Sequence, residues 1–391
     1  MKSALIGLVL LVLGAVAVFT GLLPASDAAE LWNRVWPILL FVVAVTVVAE
    51  LAAEAGVFTV LAQQTARWGR GRAWVLWLLV VLVAALSTIF LSLDTTAVLL
   101  TPVVVVLARH VGLSPLPFAL TTVWLANTAS LLLPVSNLTN LLAQHQMGSP
   151  SPLQFAMLAA APAVVAIVVP VIVIFVVFRK PLLQHYVPEA RDPIEDHVLF
   201  WCSVVVLVAL LPALVSGLPV WLPACVAAVL LIVLFALRRP AVLRFQLLPW
   251  QLVALASGLF LFIEALHAIG LGTALATVSG SGESPLALLR LAGTGMVGAN
   301  AIDNLPAYLA LEPAAGSPVR LFALLIGVNV GALITPWASL ATLLWHQRLT
   351  ALKVDISWRR YMLLGLIVAP ITVALATVAL ALSSGMAHSP G

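Results

Sequence analysis

Apolar stretches of roughly 20 residues follow one another along almost the whole chain, the length a helix needs to cross a bilayer's hydrocarbon core. In lipid, every backbone polar group must be satisfied inside a helix or around a closed barrel. The alternating ten-residue pattern of a barrel strand is absent. The chain therefore reads as an all-α polytopic membrane protein. Its charged fraction of 8% agrees, against about 25% in an average soluble domain. The first stretch, residues 5–23, lacks a small-residue cleavage site in the usual place and reads as a retained span.

One of these stretches is unusually polar. Residues 124–145, WLANTASLLLPVSNLTNLLAQH, carry Asn127, Thr128, Ser130, Ser136, Asn137, Thr139 and Asn140 around Pro134. Adding 202 to each number gives a second copy, VNVGALITPWASLATLLWHQ. Asn127 becomes Asn329, Pro134 becomes Pro336 and Asn137 becomes Ser339. A polar, Pro-interrupted segment at matching places in two halves is the best sequence pointer to a transporter's central site. The duplication extends further with drifting offsets. Adding 214 carries Trp36 to Trp250, Glu50 to Glu264 and Gly56 to Gly270, and adding 209 carries Asp94 to Asp303.

The expected organisation is repeat 1 over residues 1–178, a cytoplasmic linker and linking span over 179–219, and repeat 2 over 220–391. Each repeat holds a hairpin (73–110; 285–312) and a Pro-broken helix (117–145; 320–346). Residues 285–312 are too few for two full spans, so a re-entrant hairpin is expected, its tip buried in protein or facing a water-filled cavity. The linking span makes the crossing number between the halves odd, so the repeats are expected to be inverted. Positive charge supports this layout. With the N-terminus inside, 15 of the 18 Lys and Arg, Arg191 among them, fall on the inner side; only Arg34 and Arg320 fall outside, and Arg290 within the second hairpin. The expected location is the plasma (inner) membrane, with the C-terminus, near His388, outside. Residues 57–72 read as an amphipathic helix at the inner surface.

Asp94 and Asp303 are expected at the hairpin tips, each capping the helix that follows and each near a half-helix N-terminus that favours a carboxylate. Asn127, Ser130, Ser136, Asn137, Asn329, Thr335 and Ser339 flank the two prolines. One or two such residues are explained by helix–helix hydrogen bonds. Two clusters at matched spacing point to binding. Glu50 and Glu264 are intramembrane acids suited to interhelical pairing or proton carriage. Proton-coupling candidates are therefore Asp94, Asp303, Glu264 and Glu50. Glu54 is expected to reach headgroups, Arg290 to snorkel, His267 to pack near a helix end, and His145 and His346 to be interfacial. Cys202 and Cys225 have no metal or redox spacing, so no metal site is expected. Without a Walker A sequence or a nucleophile–base pair, neither ATP hydrolysis nor other enzyme activity is expected, and no cofactor is implied.

LSLDTTAVLLTP, then ANTASLLLPVSNLTNLL, then NVGALITPWASLATLLW resemble the arsenical pump membrane proteins, the arsenite/antimonite permeases of the ion transporter superfamily. The resemblance covers most of the chain. It implies inverted repeats whose hairpin tips and broken helices converge at mid-membrane, and a site including Asp94, Thr95, Thr96, Asp303 and Asn304. The family's first tip runs S-N-D-A-T; here Ser92-Leu93-Asp94-Thr95-Thr96 has lost the Asn. The implied function is secondary efflux of arsenite or antimonite coupled to proton influx by alternating access. The alternatives within the superfamily are sodium/proton antiport and sodium-coupled dicarboxylate or sulfate transport. Implied partners are the inorganic substrate, protons and lipid, with a homodimer and a soluble arsenical-pump ATPase on the cytoplasmic face as further candidates, and no nucleic acid. Arsenous acid is a neutral trihydroxide at pH 7, so hydroxyls, amides and carboxylates suit it, whereas an anion site would have to offset negative charge.

Overall fold

The computed structural model describes residues 2–187 and 193–387; Arg191 and His388 lie outside them. The described residues form helices and no strand, with one isolated bridge between Arg72 and His185. The helices are labelled α1 (Lys2–Phe19), α2 (Ala25–Glu54), α3 (Val57–Trp68), α4 (Ala73–Phe90), α5 (Leu93–His110), α6 (Pro115–Thr128), α7 (Leu138–Gln146) and α8 (Pro152–Val177). They continue with α9 (His197–Val215), α10 (Trp221–Arg238), α11 (Trp250–Ala268), α12 (Leu271–Ser279), α13 (Pro285–Ile302), α14 (Asn304–Ala315), α15 (Pro318–Val330), α16 (Leu340–Ala351) and α17 (Trp358–Ala387). Among the described residues, eight helices are long and apolar enough to cross a membrane: α2, α4, α5, α8, α9, α10, α11 and α17. Their outward faces keep large apolar side chains exposed, as lipid contact requires.

Both expected interruptions are present. The hairpin α4–α5 breaks at Leu91 and Ser92, and α13–α14 breaks at Asp303. The polar segments break too, α6 from α7 over residues 129–137 and α15 from α16 over residues 331–339. A helix the sequence reading did not anticipate, α12, follows Gly270 as α3 follows Gly56. Both glycines are left-handed, with φ of 99° and 82°, a geometry glycine adopts without penalty. α12 carries no charge, so it lacked the basic face that marks α3.

α1 lies against α11 in backbone contact. A Cβ at Gly7 would sit 2.5 Å from Leu255 Cα, and one at Gly258 2.2 Å from Gly7 O. Small residues permit this approach in lipid, where close packing supplies much of the association energy. On the face where α2 ends, Arg109 donates to Leu352 O and Lys353 O at 2.5 and 2.9 Å. Asp196 there caps α9, and its hydrogen bond from Arg238 (2.9 Å) holds its carboxyl below the usual carboxylate range.

Candidate functional site

The hairpin tips share an unusual backbone. Ser92 has φ 136° and Asp303 φ 102°, with ψ of 164° and 154°. Only glycine adopts this region freely, and a side chain there costs roughly 1–3 kcal/mol. Each strained residue caps the helix that follows. Ser92 Oγ accepts from Thr95 N at 3.3 Å, and Asp303 Oδ1 accepts from Leu305 N at 3.1 Å. Asp303 therefore caps as expected, but Asp94 does not: Ser92 holds that role, and Asp94 stands one position inside the helix. The structural offset between the tips is thus 211, from Ser92 to Asp303, rather than 209. In this frame Leu93 stands opposite Asn304, so the missing Asn of the first tip has its counterpart at the second.

The broken segments match at the expected offset of 202. Asn137 and Ser339 both occupy the N-cap position of the following helix in extended conformation, with φ −152° and −149°. Asn329 reaches across the sequence to the first break. Its Oδ1 accepts from Asn137 Nδ2 (3.1 Å) and Thr139 Oγ1 (2.9 Å), and its Nδ2 donates to Asn140 Oδ1 (2.9 Å). Asn140 also donates to Ser130 O and Leu133 O, at 2.6 and 3.0 Å. The second break is held by Asn300 of α13, whose Oδ1 accepts from Ile334 N (3.1 Å) and Thr335 N (2.9 Å).

Tips and breaks meet in a cavity of about 70 Å³. Ser92, Asp94, Asn137, Asp303, Asn304 and Ser339 supply its polar wall, and α2 and α11 its apolar one, through Phe41, Val45, Leu255 and Leu259. By the same measure a water needs roughly 10–15 Å³, so the space suits a solute the size of a few waters. None of its lining residues is Lys, Arg, His or Cys. Ser339 Oγ is fully buried and has no hydrogen-bond partner. A buried hydroxyl without a partner is costly, which marks it as a group kept for a ligand or a water.

The remaining candidates separate. Thr95 and Asp94 line a second cavity, of about 360 Å³, which shares Thr46, Asp94, Leu252 and Leu340 with the first and extends to Glu50 and Arg348. A third, of about 710 Å³, shares Glu50 and Arg348 and reaches Glu54, Gln63 and Arg239. Glu264 and His267 line a fourth cavity, of about 500 Å³, beyond the opposite end of the central one. Glu50 and Glu264 thus lie on opposite sides of the cavity rather than in it. Thr96 accepts from Thr88 at 2.8 Å. Ser130 donates to Asn127 O at 2.7 Å, Ser136 to Leu133 O at 2.6 Å and Thr335 to Asn300 O at 2.8 Å. These four shape the backbone instead of lining the cavity. Asn127 is fully buried, donates to Val123 O at 3.0 Å, and leaves its Oδ1 without a partner.

Arg290, expected to snorkel, is exposed and has a local role. It donates to Val278 O and Thr277 O at 2.7 and 2.8 Å and so caps the C-terminus of α12. Arg320, counted as an outer loop charge, is buried and binds Gly280 O, Gly282 O and Ala315 O. His267 Nε2 lies 3.0 Å from Leu309 O, and His346 stacks on Trp358. Asn300 is not among the residues the sequence singles out, and Ser92 enters there only as the first residue of the tip motif. Asn300 was visible as an uncharged amide in the apolar run GANAI; Ser92 gave no sign of its strained backbone.

The citrate transporter family profile matches residues 1–327. The arsenical pump membrane protein of Escherichia coli (strain K12) is 32% identical over 95% of this chain and 92% of its own length. A putative arsenical pump membrane protein of Bacillus subtilis (strain 168) is 26% identical over 90% of this chain and 89% of its own. Among solved structures, the Alcanivorax borkumensis YdaH transporter, described as having an unusual topology, aligns with a TM-score of 0.61 at 15% identity. It covers 99% of this chain and 98% of its own, a likeness of fold.

Proposed function

From the premise that this chain belongs to the arsenical pump membrane protein family, and matches the citrate transporter profile, we propose that it exports arsenite or antimonite in exchange for protons. The observation that carries this reading is the central cavity: small, thiol-free, without a cationic side chain, and walled by hydroxyls, amides and two carboxylates. A neutral trihydroxide can donate to Asp94 and Asp303 and accept from the amides of Asn137 and Asn304 and the hydroxyl of Ser339. A tricarboxylate would bring negative charge against two acids in a space too small for it. The absence of a thiolate also favours release, since sulfur would hold As(III) tightly.

In this proposal Asp94 and Asp303 carry the coupling proton. The tips and breaks form the binding core, the repeats are inverted and related by alternating access, and the N-terminus is cytoplasmic in the inner membrane, as the charge bias supports. The sodium-coupled anion reading has the citrate profile in its favour. One experiment separates the two. Everted vesicles should accumulate arsenite on an imposed pH gradient without sodium. Accumulation of citrate or of a dicarboxylate that needs sodium, with no arsenite movement, would overturn the proposal.

A further inference from the structure

α2 acts as a ruler through the protein. Leu31 and Arg34 line the fourth cavity, Phe41 to Thr46 the central one, and Glu50 to Glu54 the third. At 1.5 Å per residue, Arg34 stands roughly 10 Å from Phe41 along the axis. α11 runs the same course in reverse, from Gln251 in the second cavity through Leu259 in the central one to Glu264 in the fourth. The central cavity shares lining residues with the second, and the second with the third, whereas none of the three shares any with the fourth. The adjoining cavities therefore run from the centre towards the Glu50 end and stop short of the Arg34 end.

A small cluster sits at that closure. Arg34 Nη2 of α2 pairs with Glu312 Oε1 of α14, and Tyr308 OH donates to the same oxygen at 2.8 Å. Tyr308 is fully buried and Glu312 is 7% exposed. Along α14, Tyr308 and Glu312 fall between Leu305, on the central cavity wall, and Pro313, on the wall of the fourth, which Arg34 and Glu312 also line. The pair joins residues 278 positions apart, one from each half of the chain. Phe260, buried against the fourth cavity beside Leu259, adds an apolar layer.

We propose that Arg34, Glu312 and Tyr308 form the gate that seals the central cavity from the fourth cavity, and that this gate must part for solute to leave on that side. The inference rests on the transport reading above, but its test does not use the substrate. A desolvated ion pair suits a two-state gate. It is held firmly while both charges face each other, and it can be exchanged for water when the halves separate, because each charge then regains hydration. Removing one charge leaves the other buried and unpaired, which favours the parted state.

The test uses the full-length chain in cells with Cys202 and Cys225 changed to Ser and one reporter, Leu259→Cys, on the cavity wall. A membrane-impermeant maleimide is added outside. Labelling should be slow with the gate intact, rise about tenfold with Glu312→Gln, and rise about two- to threefold with the milder Tyr308→Phe. The exchange R34E/E312R should bring it back within about twofold of the starting rate. Unchanged labelling in both Glu312→Gln and Tyr308→Phe overturns the gate; if Glu312→Gln fails to insert, Tyr308→Phe decides alone. Failure of the transport reading would show separately, as faster labelling with Glu312→Gln while the unsubstituted chain moves no arsenite.

Discussion

The two broken segments share their prolines, their polar composition and their extended N-cap residues, yet they are tied down differently. The first is bound across the chain: Asn137, Thr139 and Asn140 all meet Asn329. The second is bound to its own hairpin, through Asn300 to Ile334 and Thr335. The counterpart of Asn329, Asn127, leaves its carbonyl oxygen bare, because the positions matching Thr139 and Asn140 are Ala341 and Thr342. The tips differ in the same spirit. The second puts its carboxylate on the cap itself, at Asp303, while the first caps with Ser92 and carries the acid two residues on. The second break and its hairpin are thus fastened as one body, while the first break is fastened to the opposite half of the chain.

The largest effect should come from the two carboxylates. Asp303→Asn keeps the cap, since Asn caps about as well as Asp, and Asp94→Asn touches no cap at all. Both variants should insert normally yet lose uphill arsenite transport by more than about tenfold, roughly 1.4 kcal/mol in the limiting step. Truncation to Ala separates the tips. Asp303→Ala should cost about 1 kcal/mol of additional stability, and Asp94→Ala should not. Uphill transport that survives in both Asn variants with the same pH dependence would move the coupling acid elsewhere, with Glu264 and Glu50 the next to change.

The asymmetry of the amides gives the next effect. Asn329→Ala removes the shared partner of three buried groups, and an unsatisfied buried group costs roughly 1–3 kcal/mol. A loss of about 3 kcal/mol or more is expected, read as a clear drop in Tm in detergent. Asn127→Ala forfeits one bond to Val123 O and should cost about 1 kcal/mol. Equal losses at the two positions would show that the halves are fastened alike.

This contrast also marks how far the sequence carries. Apolar run length gave the helices, because lipid forces every polar backbone group into a local bond. The Asn-Pro-Asn/Ser spacing located the breaks, and the intramembrane acids located the tips, because such residues are too costly to keep without use. What spacing could not carry is anything decided by backbone strain or by partners far apart in sequence. Ser92 and Asp303 are counterparts through a shared positive φ, whereas matching acid to acid put the offset two residues away. Nor could spacing show that Thr96, Ser136 and Thr335, expected at the site, have their hydroxyls bonded to Thr88, Leu133 O and Asn300. Arg34 and Glu312 read as a loop charge and an unremarked acid, although the fold brings them together.

A smaller effect is expected from relieving the strained tips. Ser92→Gly gives up a cap bond worth a few tenths of a kcal/mol to a Gly replacement and removes a strain of roughly 1–3 kcal/mol. The variant should be more stable by about 1 kcal/mol, seen as a small rise in Tm. Asp303→Gly should gain in the same way but lose uphill transport, because its carboxylate goes with the strain. A fall in stability at both tips would mean that the backbone there is held without strain.

The smallest effect is expected where neither half has placed its site. Cys202 lies on α9 and Cys225 on α10; both are free thiols, half-buried, and neither lines the central cavity. Serine is close to Cys in volume, and on a helix in lipid its hydroxyl can bond back to the preceding turn. Changing both to Ser should therefore cost no more than about 0.5 kcal/mol, the range of a substitution that breaks no packing or polar contact. Arsenite uptake into everted vesicles should keep its KM and its rate within about twofold, since the proposed contacts are oxygen and amide groups from the tips and breaks. A collapse of uptake with normal membrane levels would mean that As(III)–sulfur bonding carries recognition. The site would then lie on α9 and α10, away from the tips and breaks, and the differences between the two breaks would concern packing alone.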